Sequence, residues 1–111
     1  ILGFSLDELR QPRVKAKMES KIFWSIIDNS RHNTSDVNQQ ADKLRKQLSN
    51  LSTNQIIEFD KKFNDLKNKA HRWDLWGAVY LLNGGCSDDT FDYFKEWLIG
   101  QGKEKYTRTI K

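Results

Sequence analysis

Apolar residues recur at alternating steps of four and three through the middle of the chain, a spacing that places them on one face of a helix. One run spans residues 37–51 and a second spans 56–73. The break between them, Ser52-Thr53-Asn54-Gln55, has the form of a capping box. We therefore predict an antiparallel helical hairpin from Val37 to Trp73. The residues of the two runs are Val37, Ala41, Leu44, Leu48, Leu51, Ile56, Phe59, Phe63, Leu66, Ala70 and Trp73.

A further amphipathic helix is predicted ahead of the hairpin, with Ser20 as its N-cap. Its apolar face consists of Ile22, Phe23, Ile26 and Ile27, and Trp24 lies beside that face. Residues 28–34 are polar and indicate a loop. Nearer the start, a capping box at Ser5 predicts a short helix that Pro12 ends. We interpret residues 1–17 as an N-terminal arm or extension and residues 18–111 as one domain.

The stretch from Trp73 to Trp97 holds three of the four tryptophans, two of the three tyrosines and the only cysteine. Because large apolar side chains concentrate here, we expect this stretch to form the core. The segment Leu75 to Leu82 is apolar on nearly every side, which predicts a central helix capped by Asp74. Gly77 within it suggests close contact with another helix. On this interpretation Trp76→Ala would cost about 3–5 kcal/mol.

Capping residues also indicate where that helix ends and where the next one begins. Asn83-Gly84-Gly85 is typical of a left-handed C-terminal cap, and Ser87 is a suitable N-cap for a helix running through Phe91 and Leu98. A last short turn around Tyr106 is expected near the C-terminus. With no strand-like alternation, the pattern predicts an all-α single compact domain of about five or six helices, built on the hairpin.

Composition and charge narrow the class of protein. With 31% charged and 12% aromatic residues, the chain is typical of a globular protein without a membrane span. Its net charge of +4 arises at the two ends, whereas residues 72–102 are acidic, so nucleic-acid binding through the basic termini is kept only as an alternative. A lone cysteine and the lack of zinc spacing favour a reducing compartment, and we expect a cytoplasmic protein. The first residues do not resemble a secretory signal.

The turn from Asn83 to Asp89 is the first candidate site. If it folds beside the helix junction at His71 to Asp74, the two would frame a small ligand pocket. An ion pair of Arg72 with Asp74 or Asp88 is the structural alternative, and Cys86 fits an inert thiol beside two carboxylates. No catalytic constellation, metal site or cofactor is predicted. The candidate ligand-binding residues are Arg72, Asp74, Trp76, Asn83, Cys86, Asp88 and Asp89.

A basic cluster on the predicted hairpin is the second candidate site. Its cations would suit an acidic protein partner, although a solvated helix face accounts for them as well. The cluster consists of Lys43, Arg45, Lys46, Lys61 and Lys62.

Three short runs are similar to a known family: Trp-Asp-Leu-Trp-Gly at 73–77, Asn-Gly-Gly-Cys-Ser-Asp-Asp at 83–89 and Phe-Asp-Tyr-Phe at 91–94. With Ile22 to Trp24 and the leucine-rich hairpin, they resemble the mainly bacterial DUF4240 family of domains of unknown function. The resemblance implies no assigned activity. Its members are sometimes attached to other modules, which implies an accessory or interaction role, and relatives continue with an acidic segment beyond the last residue here.

The leading hypothesis for function is a non-catalytic protein-interaction module, such as a regulatory or immunity protein of a bacterial defence system. A ligand-binding protein or enzyme with its pocket at the Asn83 to Asp89 turn is the alternative. Any part of the aromatic stretch left exposed would indicate a dimer equally well.

Overall fold

Six α-helices follow one another along residues 18–111, the residues that the computed structural model describes. No strand occurs among them, so the predicted all-α class is confirmed. The predictions for the capping box at Ser5 and the helix end at Pro12 lie outside the described residues. The helices are α1 (Ser20–Arg31), α2 (Val37–Ser49), α3 (Thr53–Lys69), α4 (Trp73–Asn83), α5 (Asp88–Gly100) and α6 (Lys103–Ile110).

Three helix ends form as the residue types predict. Ser52 Oγ accepts a hydrogen bond from the Gln55 amide at 3.2 Å, and Gln55 Oε1 accepts one from the Ser52 amide at 3.0 Å, which completes the capping box of α3. Ser87 caps α5 through its hydroxyl, which accepts a hydrogen bond from the Thr90 amide at 3.2 Å. Gly84 ends α4 in the left-handed region at φ +72°, where a glycine carries no steric penalty.

Two predicted caps are wrong. Ser20 is the first residue of α1, and the N-cap residue before it, Glu19, makes no side-chain capping hydrogen bond. Asp74 lies in the first turn of α4 rather than before it, since Arg72 is the N-cap. The Asp74 carboxylate accepts from the Leu75 amide at 2.9 Å, so it still satisfies one of the free donors at the helix start.

The core is centred on α1. Phe23, Trp24, Ile26 and Ile27 are all buried, and the Phe23 ring lies 4.7 Å from that of Phe59 on α3. Helix α1 packs most extensively on α2 and also on α5, while α5 packs on α3 and α6. The short helix before the hairpin, rather than the aromatic stretch after it, therefore occupies the middle of the fold.

The expectation that the whole stretch from Trp73 to Trp97 forms the core is corrected by α4. Phe91, Leu98 and Ile99 of α5 are buried, but no residue of α4 is. Helix α4 lies at the periphery because α1 fills the central position, and Leu75 packs against the core from the inner edge of α4. The suggested close contact of Gly77 with another helix does not occur within residues 18–111, since a Cβ there would meet none of their atoms within 4 Å.

Polar contacts join the ends of three helices inside this core. Gln40 Nε2 on α2 donates to the Gly100 carbonyl at 2.8 Å and to Ser30 Oγ at 3.2 Å. Ser30 is fully buried and donates in turn to the Ile27 carbonyl. Because each of these buried polar groups has a partner, α1, α2 and α5 meet without an unsatisfied hydroxyl.

The last predicted turn is a two-turn helix, α6. Its Tyr106 is buried, and the hydroxyl donates to the Leu66 carbonyl on α3 at 2.6 Å. Burial raises the pKa of the Tyr106 phenol. This contact fixes α6 against α3.

None of the helices within residues 18–111 combines the length and the apolar composition needed to cross a bilayer.

The central position of α1 can be tested with two neighbouring residues. Phe23→Ala should lower the free energy of unfolding by about 3–5 kcal/mol, because it removes a fully buried aromatic side chain. Ile22→Ala on the exposed side of the same helix should cost less than about 1 kcal/mol. Urea denaturation monitored by circular dichroism measures the free energy of unfolding of both variants. Equal costs would contradict the assignment of α1 to the core.

Candidate functional site

A ladder of aromatic rings connects α4 to α5. Trp73 stacks on Trp76 with ring centroids 5.5 Å apart, and Trp76 stacks on Phe91 at 5.0 Å. Phe91 continues to Phe94 at 6.3 Å, and Phe94 to Trp97 at 5.9 Å. Phe91 is buried, whereas Trp73 and Trp97 at the two ends of the ladder are exposed. The ladder therefore runs from solvent into the protein and back to solvent.

Helix α4 exposes several large apolar side chains on its outer face. The steps of four from Trp73 to Leu81 and from Asp74 to Leu82 place these residues on adjacent stripes of one helix side. Trp73 and Leu81 are each 83% exposed, and Leu82 is 89% exposed. Small residues occupy the middle of this side, with large apolar residues at both ends. We define the outer face of α4 as Trp73, Asp74, Gly77, Ala78, Tyr80, Leu81 and Leu82, all of which are exposed.

The outer face carries one charged residue, Asp74, and that charge is already paired. Arg72 Nε and Nη2 donate to the two carboxylate oxygens of Asp74 at 3.0 and 2.7 Å. Hydrogen bonding from Arg72 lowers the pKa of the Asp74 carboxyl. Arg72 also donates through Nη1 to the Ile110 carbonyl at the end of α6. The outer face is therefore close to neutral.

The Asn83 to Asp89 turn directs its polar groups mainly at its own backbone. The Trp76 indole nitrogen donates to the Cys86 carbonyl at 3.0 Å, and the Asn83 side-chain amide donates to the Gly85 carbonyl at 3.1 Å. Cys86 Sγ lies 3.6 Å from the Ser87 carbonyl oxygen. These contacts order the turn and hold it against α4.

The predicted ligand-binding residues are thus brought together in two groups. Trp76 meets Cys86, and Arg72 meets Asp74 as the structural alternative anticipated. Arg72 has its other partner on α6 rather than in the turn. Asp88 and Asp89 occupy the first turn of α5, where the helix dipole favours negative charge. Within residues 18–111, no group of three or more His, Cys, Asp or Glu side chains is arranged to hold a metal ion.

Part of the predicted basic cluster is engaged within the chain. Lys43 donates to the His32 carbonyl, and Arg45 pairs with Asp42 at 2.7 Å. Lys46 and Lys61 are exposed. Lys62 is half-buried, so the cluster presents fewer solvent-facing cations than the residue types suggested.

Sequence reasoning missed a polar cluster between α3 and α5 that is built on a buried lysine. Lys95 is 4% exposed, and its ammonium lies 3.0 Å from Asp92 Oδ1 and 2.8 Å from His71 Nδ1. An ammonium only donates, so His71 is the acceptor in this contact. The Lys95 ammonium also lies 4.9 Å from the Phe91 ring centre, which adds a cation–π contact. The sequence signal that could have revealed this cluster is the spacing of three residues between Asp92 and Lys95.

A second ion pair extends this cluster. Lys67 on α3 lies 2.9 Å from Glu96 on α5, and both partners are partly covered. Hydrogen bonding from Lys95 lowers the pKa of the Asp92 carboxyl, with a smaller contribution from the Lys67 charge. Because every ionic group in the cluster has a partner, it is a means of fixing α3 against α5.

A shallow groove of about 540 Å³ lies between the end of α1 and the start of α6. It is open to solvent, and its charges are of both signs. The charged residues lining it are Asp28, Arg31, Lys103, Glu104 and Arg108.

Comparison with known proteins identifies the family. A family model described as "Protein of unknown function (DUF4240)" matches residues 18–111. The chain belongs to this family. The match takes in all six helices, so the outer face of α4, the ladder and the polar cluster are all parts of the DUF4240 domain. No curated protein and no solved structure matches the chain.

The hydrogen bond from Trp76 to the turn can be separated from the aromatic stacking. Trp76→Phe keeps an aromatic rung but removes the donor to the Cys86 carbonyl, so it should lower the free energy of unfolding by about 0.5–1.5 kcal/mol. Trp76→Ala should cost more because it also removes the stack on Phe91. Chemical denaturation measures both. A Trp76→Phe variant as stable as the wild type would contradict the hydrogen bond's contribution, and equal costs for the two variants would contradict the contribution of the stack.

The ion pair of Asp92 with Lys95 should make stability depend on acid pH. Because the folded-state pKa of Asp92 is lowered, its contribution is present above the unfolded value of about 3.9 and is lost as the pH falls through the folded value. Asp92→Asn should therefore be less stable than the wild type at pH 7, and the difference should shrink below about pH 4.

Urea unfolding at a series of pH values measures this difference. Asp65→Asn, which removes an exposed carboxylate from α3, is the matched control and should show a smaller effect. A difference for Asp92→Asn that stays constant from neutral to acid pH would contradict the ion pair's contribution.

Proposed function

We propose that this protein is a non-catalytic protein-interaction module that docks its partner on the outer face of α4. The observation that carries the proposal is the exposure of Trp73, Leu81 and Leu82 on one side of a helix. Leaving large apolar side chains in water is unfavourable, and burying them against another protein recovers that free energy.

The size of the surface supports this proposal. An aromatic side chain presents about 150–250 Å² when uncovered, so Trp73, Tyr80 and the two leucines together expose on the order of 600 Å². The largest apolar patch on a typical monomeric protein is about 300–600 Å² and is often functional. The outer face of α4 is at the upper end of that range.

The composition of the surface supports it as well. Aromatic residues are enriched at protein interfaces, and charged residues are depleted at their centres. Trp73 and Tyr80 match the first property, and the paired Asp74 matches the second. Tryptophan and tyrosine are also among the residue types that most often dominate the free energy of binding at interfaces.

The compartment and the wider role belong to the same proposal. Cys86 is a free thiol, which fits a reducing compartment, so we propose that the partner is a protein of the bacterial cytoplasm. A small interaction domain of this kind would suit a regulatory or immunity protein of a defence system.

Site-specific photo-crosslinking in the protein's own cells tests the proposal. A photoreactive phenylalanine analogue at position 81 should form covalent adducts with a polypeptide. The same group at Val37, which is 61% exposed on α2, should form few adducts. Mass spectrometry of the adducts identifies what is attached.

Two controls guard the result. Circular dichroism must show that both labelled proteins are folded, and Trp73→Ala combined with the label at 81 should reduce the adduct several-fold. Adducts at position 37 that equal or exceed those at position 81 would place the docking surface elsewhere and overturn the proposal.

A further inference from the structure

We infer that the outer face of α4 is covered by the same face of a second copy of this chain, so that two α4 helices cross antiparallel about a twofold axis at Gly77 and Ala78. This inference rests on the proposed function and names the partner at that site. A twofold interface is self-complementary. Where residue i of the first copy contacts residue j of the second, residue j of the first copy also contacts residue i of the second.

The order of residues along α4 suits such a crossing. Trp73 and Leu82 lie at equal distances along the helix from the midpoint between Gly77 and Ala78. In an antiparallel pair, Trp73 of each copy therefore lies at the level of Leu81 and Leu82 of the other copy along the helix. The large residues at the two ends fill space while the small residues in the middle let the helices approach, which is the alternation that close packing requires.

Gly77 is the second observation. A glycine in a helix interior costs about 1 kcal/mol relative to alanine. Nothing within residues 18–111 requires it, because Gly77 has no positive φ and a Cβ there would meet no atom of these residues within 4 Å. Close approach of a helix from outside the chain explains why the side chain is missing at this point.

Charge and area are both compatible with a second copy. The one charge on the face, Asp74, is neutralised by Arg72 of its own chain, so the twofold axis brings no unpaired like charges together at the centre. A stable interface buries about 800 Å² on each partner, and the outer face supplies most of that from apolar atoms. Antiparallel helices also place their dipoles favourably.

Sedimentation velocity and light scattering over a wide range of protein concentration test the inference. The wild type should pass from a mass of 13.1 kDa to twice that value as concentration rises. Leu82→Lys should raise the dimer dissociation constant by more than about tenfold, which corresponds to about 1.4 kcal/mol. Val37→Glu is the matched control, because it also puts a charge in place of an exposed apolar residue. A negative charge is favourable at the start of a helix, and this variant should leave the dimer unchanged.

Gly77→Gln separates a blocked interface from a damaged fold. Glutamine is a better helix former than glycine and meets no neighbour here, so the monomer should melt at a higher temperature than the wild-type monomer. The same side chain should prevent the close crossing and raise the dissociation constant at least as much as Leu82→Lys. A variant that was merely destabilised would not show this combination.

Several outcomes would overturn the inference. These are a wild type that stays monomeric at every concentration, a dimer that Leu82→Lys leaves intact, and a dimer that Gly77→Gln strengthens. A monomer whose label at position 81 still crosslinks to a different polypeptide would overturn the second copy while leaving the proposed function standing. A monomer without adducts at position 81 would overturn both, and adducts that join two copies would support both.

Discussion

Burial of one side of α1 is the constraint on which the other helices depend. Phe23 and Ile27 are almost completely removed from water, and each of the neighbouring helices contributes apolar side chains to the cluster around them. Gln40 then joins α2 to the end of α5, and the Tyr106 hydroxyl joins α6 to α3. Helices of this length are marginal in isolation, so their stability comes from this shared packing.

The helices themselves were largely predictable because their signals are local. Apolar spacing located α2 and α3, and short-range side-chain hydrogen bonds at Ser52 and Ser87 marked where α3 and α5 begin. The position of α4 was not predictable in this way. A helix that is apolar all round is usually central, but which helix takes the centre depends on shapes that residues distant in sequence build together. Here Phe23, Trp24 and their neighbours on α1 fill that space.

The candidate site likewise combines features that nearby residues predict with features that they do not. The pairing of Arg72 with Asp74 and the place of Asp88 at a helix start follow from nearby residues and were anticipated. The contact between Lys95 and His71 joins residues 24 positions apart, so no local sequence pattern predicts it. The outer face of α4 escaped prediction because its residue types are those of a core. Only their exposure in the fold distinguishes the two, and for that reason the sequence predicts Leu81 and Leu82 to be interior.

The way in which α4 is attached also makes its two halves unequal. Arg72 holds the start of α4 to the end of α6, Leu75 packs on the core, and Trp76 is bonded to the Cys86 carbonyl. Beyond Val79 the side chains of the helix make few buried contacts, since Tyr80, Leu81 and Leu82 are exposed. Local opening requires the least free energy where buried contacts are fewest. The far end of α4 should therefore fray first, which would let it adjust its angle to an arriving surface while its start keeps the register.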